Sequence, residues 1–453
     1  MSEQNSTFRR GNPTWANACV GDNGQPDYID YAKGFSTAAN TLILSVLSTR
    51  GLKFSPDHLI YPICFNMRHS VELHLKGTAN YLLKFSLTFP PKLEFNLSSS
   101  HDIGIIWEFI KENSVRIDPR YSIITNKLDA TISDIASIDP TGQTFRYAIN
   151  KENKKHLTDV SLINVQILHN KFSTLEKHLT DLNRLNEQLE EEFRYGDRTS
   201  KLSRHDLFLI SKTLPKKTEW GSKEFIVTKE KIRQTFNLSS NDFSRALVCI
   251  RENYLMASII GAPLPLRFAT KECLVLFFDA WDIANDIEKY RNAFLDDNVD
   301  IDESLTSYKN VLENLFEDNE NELAALTKIK KSINTNQLID IETLYRLTQD
   351  SHYPERYPNL YEIYESHSVV DDIEEGSIAY RLLGLIRAPE QIIKSLFFLG
   401  QTETAEILLA HYELENCFDW IERARSGELF KAPWTWAFSE EETSNWDKQR
   451  IYL

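Results

Sequence analysis

Tyr61-Pro-Ile-Cys-Phe-Asn-Met-Arg68-His69-Ser-Val-Glu72-Leu-His74-Leu-Lys76-Gly77 decides how this chain is read. The spacing predicts a helix. At about 100° per residue, Glu72, Lys76 and His69 fall within about 100° of Arg68, while Met67, Val71 and Leu75 gather on another side. One face is therefore expected to be core and the opposite quadrant a compact set of ionisable groups. His74 falls at the edge of the apolar face. An Arg offers bidentate donors to phosphate, and an imidazole serves as acid or base near neutral pH. The same spacing of Arg68, Glu72 and Lys76 also permits an ion-pair ladder along one helix, so a structural role stands beside the chemical one.

Working outward, residues 1–28 are polar and read as a tail. Residues 29–50 predict a helix with Ala38, Leu42, Ile43, Val46 and Leu47 on one face. The Arg68 helix is expected over 57–86, entered near Pro62. After a Pro- and Ser-containing loop, His101-Asp102 opens a further helix, with Ser100 as its expected N-cap. Another is expected from Ile123 to Ser137. Asp139-Pro140-Thr141-Gly142 is a turn signal, and the alternating Phe145 to Ile149 predicts a strand or extended segment. Val165, Phe172, Leu179 and Asn186 recur every seven residues, as do Leu168, Leu175, Leu182 and Leu189. This seam predicts a long helix, packed within its own domain or against a second copy. Gly196 to Ser200 breaks it.

The ordered set resembles the HEPN superfamily of nucleotide-binding helical domains. It comprises Arg-His-x-x-Glu-Leu-x-Leu-Lys at 68–76, His101-Asp102, the Asp139-Pro140 turn, Phe145-Arg146-Tyr147 and then a long helix. Arg68, followed by His69 and, after a gap, by His74, is similar to the superfamily's hallmark. The resemblance spans about residues 30–195. It implies an all-α bundle and metal-independent RNA cleavage at a site often shared by two copies, in phage defence or toxin-like systems. On that basis the expected catalytic residues are Arg68, His69, Glu72 and His74. Lys76, His101, Asp102 and Arg146 support them, with no metal ligand and no cofactor. Asp102 is read either as a helix-terminal charge or as a partner for Arg68 or His69. Arg146 is read as a surface residue or a contributor to the same pocket. Some members of the superfamily only dimerise or bind ligands, so a non-catalytic assembly or regulatory role is the alternative.

The remainder is less specific. Formal charge is −15 over 453 residues, with about −1 in residues 1–200 and −14 in 201–453. Thr228 to Ile250 has helix-turn-helix spacing, with Asn237 suited to a left-handed turn and Ser239 or Ser240 to the following cap. A DNA-binding regulator acting through 228–250 is a third reading. The acidic half as a whole weakens it and favours a packed hairpin or a protein-docking winged helix. Residues 270–350 and 376–425 read as helical. The tyrosines at 353, 357, 361 and 364 read as core.

The expected organisation is an all-α HEPN-like bundle over 29–195, a helix-turn-helix or winged-helix segment over 200–265 and an acidic helical region over 266–453. RNA, a second copy and a regulatory protein bound by the C-terminal half are the expected partners. Five scattered cysteines without a CxxC pair argue against a zinc site and for a reducing compartment. No apolar run reaches 18 residues, so a cytoplasmic protein without a membrane partner is expected. P-loop, Rossmann, HExxH and GxSxG patterns are absent from the sequence.

Overall fold

The computed structural model describes residues 6–88, 92–149, 152–195, 198–295, 320–350, 353–370, 375–427 and 429. Among these the fold is all-α, and the one β-type pairing is an isolated bridge between Ile149 and Lys155. The chain divides into two compact units, Met1–Glu190 and Glu191–Leu453.

In the first unit, helix α1 runs over Tyr28–Ser48. Asp27 starts it, its carboxylate accepting from the amides of Ile29 and Asp30 at 2.8 and 3.0 Å, while Asp30 returns a bond to the Asp27 amide. Ile43 and Val46 are buried as expected; Ala38, Leu42 and Leu47 are half-buried, and Ala39 takes the innermost place.

Helix α2 spans Pro56–Thr88. It begins six residues before Pro62. That proline lies within the second turn, where one missing N–H does not prevent the helix from continuing. Helix α2 packs between α1 and α3 (Ile103–Ile117), and α3 packs in turn on α4 (Tyr121–Ile138). The approach of α1 is close enough that a Cβ on Gly77 would stand 3.0 Å from the Ile29 side chain. Covered on several sides, α2 buries Ile63, Val71, Leu75, Ala79 and Leu82 completely. Arg68, Glu72 and Lys76 of its polar quadrant are buried as well, and His69 is half-buried.

Helix α5, Val165–Tyr195, carries the heptad seam. Phe172, Leu175, Leu179, Leu182 and Leu189 are all buried within this single chain. These seam positions are thus covered within the single chain. Asn186 sets the register from inside: it accepts from the Tyr121 hydroxyl at 2.7 Å and donates to Thr78 Oγ1 at 3.1 Å. A fully buried amide with both ends bonded costs most when the helix slips.

Phe145 to Ile149 is not a strand. Amides of Arg146 and Tyr147 both turn back to the Gln143 carbonyl, at 3.2 and 3.1 Å, because the preceding Gly142 reverses the chain. Apart from the Ile149 bridge, the segment is a turn.

The second unit contains α6 (Arg204–Thr213), α7 (Lys223–Thr235), α8 (Ser240–Glu252) and α9 (Tyr254–Ile259), which share a small core of Leu207, Ile210, Ile232, Phe243, Ala246, Ile250 and Met256. This segment is helical and without a strand, so it has no wing. A larger core follows in α10 (Lys271–Asn285), α11 (Ile287–Leu295), α12 (Glu320–Ser332), α13 (Thr335–Asp350), α14 (Tyr357–Val370), α15 (Glu375–Leu383), α16 (Ala388–Phe398), α17 (Thr402–His411) and α18 (Ile421–Arg425). Tyr353, Tyr357 and Tyr361 are buried and Tyr364 is half-buried. The acidic stretches 296–302 and 317–319 and the tryptophans at 434, 436 and 446 lie outside the described residues. No helix among the described residues is long and apolar enough to cross a membrane.

Candidate functional site

Arg68 and Glu72, one turn apart on α2, are only 2 % and 3 % exposed. A buried guanidinium needs every donor answered. Arg68 Nε donates to the Asp139 carbonyl at 3.1 Å, and one terminal nitrogen donates to the carbonyls of His101 and Pro140 at 2.5 and 2.6 Å. The other donates to the Glu72 carboxylate. Arg68 therefore pins the loop before α3 and the turn after α4 onto α2.

Gly142 seals this arrangement. Its φ is +77°, and a Cβ there would lie 3.1 Å from an Arg68 terminal nitrogen. Gly142→Ala is expected to lose about 1–2 kcal/mol from the left-handed backbone alone, with a further loss as Arg68 is displaced. Urea unfolding of the variant checks this.

Glu72 is the hub. Its Oε1 accepts from Lys76 Nζ at 3.0 Å and faces His101 Nδ1 at 2.9 Å, while its Oε2 meets Arg68 and stands 3.4 Å from His69 Nδ1. Burial alone would raise its pKa. Hydrogen bonds from His69, His101 and Lys76, with the Arg68 charge, outweigh burial and hold it well below the usual carboxylate range. Glu72 is thus an anion that organises two imidazoles.

Both imidazoles line a cleft of about 1400 Å³. His69 is partly exposed, held edge-on by Phe35 at 4.4 Å and stacked on Phe65 at 5.8 Å. The His101 side chain is 63 % exposed. Arg146 lines the same cleft from the 144–146 turn, exposed, with its guanidinium 5.3 Å from the Phe65 ring and 5.7 Å from the Tyr147 ring. Tyr147, Gln143 and His156 complete that wall. His156 Nε2 is buried and has no hydrogen-bond partner. No pattern in the sequence marked His156 or Gly142 as part of a site.

The expected residues separate into groups. Arg68, His69, Glu72, His101, Asp102 and Arg146 meet at one cleft. Asp102 is the N-cap of α3, accepting from the Gly104 and Ile105 amides at 2.9 and 3.2 Å. It displaces Ser100 from that role and is not the partner of Arg68 or His69; Glu72 is. Lys76 is buried behind Glu72 and does not line the cleft. His74 is also absent from the cleft wall. It is buried with Nδ1 unbonded, and burial, then the Lys33 charge, lower its pKa to about 4. A neutral, enclosed imidazole belongs to the packing of α2.

No family model matches the sequence, and neither a curated protein nor a solved structure matches it.

Proposed function

We propose that the N-terminal unit is a metal-independent endoribonuclease in which His69 and His101 act as the acid–base pair. One buried carboxylate shared by two cleft-lining imidazoles carries this reading. With each Nδ1 turned to Glu72, each Nε2 is left for substrate. One imidazole takes the ribose 2′-OH proton. The 2′ oxygen attacks the adjacent phosphorus, the P–O5′ bond breaks, and the other imidazole, protonated, gives its proton to the departing O5′. A 2′,3′-cyclic phosphate and a 5′-hydroxyl result. Arg146, exposed on the cleft wall, supplies the cation for the phosphate. Arg68 and Lys76 support Glu72 and do not touch substrate.

The HEPN resemblance adds the setting, a prokaryotic defence or toxin-like system, with a second copy and a regulatory protein on the C-terminal half as partners. Purified protein is expected to cleave RNA in EDTA. His69→Ala and His101→Ala are each expected to lower the rate by about 10²- to 10⁴-fold while leaving the circular dichroism spectrum unchanged. Retained activity in both variants would overturn the assignment.

One observation favours a second reading, a non-catalytic assembly or regulatory domain of the same class. Arg68 spends its donors on backbone carbonyls and Glu72, as a structural staple does. For this reason Arg68→Ala does not separate the two readings, whereas the exposed histidines do.

A further inference from the structure

The segment from α6 to α9 carries a feature that the cleft does not use. Within residues 200–265 the chain holds 11 Lys/Arg against 6 Asp/Glu, a net of +5; residues 266–453 hold 18 against 37, a net of −19. The second half is therefore not uniformly acidic. A basic helical segment precedes a strongly acidic one. At physiological salt the Debye length is about 8 Å, so a ligand at the surface of this segment responds chiefly to the charges beside it.

The local geometry is that of a helix-turn-helix. Helices α7 and α8 are joined by four residues, 236–239, with Asn237 at φ +50° and Leu238 buried in the turn. Ser239 caps α8, its side chain accepting from the Asp242 amide at 3.1 Å while Asp242 returns to the Ser239 amide. Phe243, Ala246 and Ile250 point into the core. This fixes which residues α8 presents outward.

That outward face is chemically specific. Asn241, Ser244 and Arg245 are exposed along its first two turns and Val248 on the third. The one carboxylate of those turns, Asp242, lies off this face and is bound to Lys201 at 2.8 Å and to the cap. Asn, Arg, Ser and an apolar methyl group are the side chains that read adenine, guanine and thymine edges in a major groove. On α7, Lys223 and Lys231 are exposed and form no ion pair among the described residues.

We propose that α6–α9 is a duplex-DNA-binding module, with α8 in the major groove and the lysines of α7 on the phosphate backbone. The major groove of A-form RNA is too deep and narrow for a helix, so the occupant is B-form DNA. Ile226 and Val227 are also exposed on α7, which makes a protein occupant the competing outcome. The proposal is independent of the RNA-cleaving cleft. DNA lacks the 2′-OH on which that chemistry depends, so the cleft cannot consume the probe.

The test is selection from a random DNA duplex library by the full chain, followed by fluorescence anisotropy on the enriched duplex and an unrelated one. An enriched motif is expected. Arg245→Ala is expected to weaken the enriched duplex by about 5- to 150-fold and to relax preference at one G·C pair. Lys231→Ala is expected to weaken both duplexes alike and to lower the salt slope by about 1. Both side chains are exposed, and unchanged thermal unfolding verifies each fold. No enriched motif, equal competition by an RNA duplex, or unchanged affinity of Arg245→Ala overturns the proposal. So does a protein that displaces no DNA yet protects α8 in hydrogen exchange.

Discussion

Glu72→Ala is expected to destabilise the N-terminal unit by about 3–5 kcal/mol, the cost of stranding buried charges without their partner. Arg68 and Lys76 are both buried against this carboxylate, and neither reaches bulk water in its place. A solvent-exposed ladder of the same three residues would lose about 1 kcal/mol or less. Burial therefore decides the magnitude. Hydrogen exchange of α2 amides across a urea series is the appropriate measurement, because it reports this unit separately from residues 191–453. A loss below about 1 kcal/mol would mean that water screens the cluster. The pH dependence has a definite sign. The folded pKa of Glu72 is held below its ordinary value, so its stabilisation is complete above the unfolded value near 4.5 and is lost as pH falls below it. Glu72→Ala is expected to remove that part of the acid limb.

His74 sets a second acid limb at higher pH. Its pKa is 6.5 in the unfolded chain and about 4 when folded, because burial and Lys33 disfavour the imidazolium. The unfolded chain therefore takes up the proton first on acidification. Stability is complete above about 6.5, falls between 6.5 and 4, and levels off once both states are protonated. The span corresponds to about 3 kcal/mol. His74→Leu keeps the volume and removes an imidazole nitrogen that has no partner. The variant is expected to match the parent at pH 7.5 and to exceed it by about 3 kcal/mol near pH 4, read from urea midpoints at the two pH values. A constant difference between them would place the titration elsewhere. The effects of Glu72 and His74 separate because their windows begin at different pH.

Much of the architecture was legible because it is local. Seven-residue recurrence from Val165 to Leu189 marks α5, and the residues it aligns are buried except Leu168, which is half-buried. Asn237 and Ser239 mark the turn and cap between α7 and α8, since a left-handed residue followed by a capping box is written in adjacent positions. The limits appear where distant segments meet. The helical wheel isolates Arg68, Glu72 and Lys76 from the apolar face of α2 but cannot show that they are covered. The carbonyls that cover Arg68 come from His101, Asp139 and Pro140, 33 to 72 residues away. Asp102, not Ser100, caps α3, a shift that two adjacent capping residues leave open to sequence. Phe145 to Ile149 alternates like a strand, yet without a second strand to pair with it turns back on Gln143. His156 sits in a polar loop with no periodicity to flag it. Only the folded chain brings it to the cleft.

The charge of the second half shows the same division. Averaged over residues 201–453 it argues against nucleic acid. Resolved into elements, it places basic groups on α6–α9 and the acidic excess beyond residue 265. Which carboxylates face outward on α8 is a structural fact: Asp242 is spent on Ser239 and Lys201, while Glu252 is exposed at the C-terminal end of the helix.

His69 and His101, held by one carboxylate, are proposed to transfer an RNA phosphodiester to its own 2′ oxygen. Mass analysis of the products from a single-cut oligoribonucleotide in EDTA tests it most directly, alongside the same strand with a 2′-deoxy sugar at the cut. A 2′,3′-cyclic phosphate and a 5′-hydroxyl are expected from the first strand, none from the second, and the same products about 10²- to 10⁴-fold more slowly from His101→Ala. Cleavage of the deoxy strand, or a 5′-phosphate product, would contradict it.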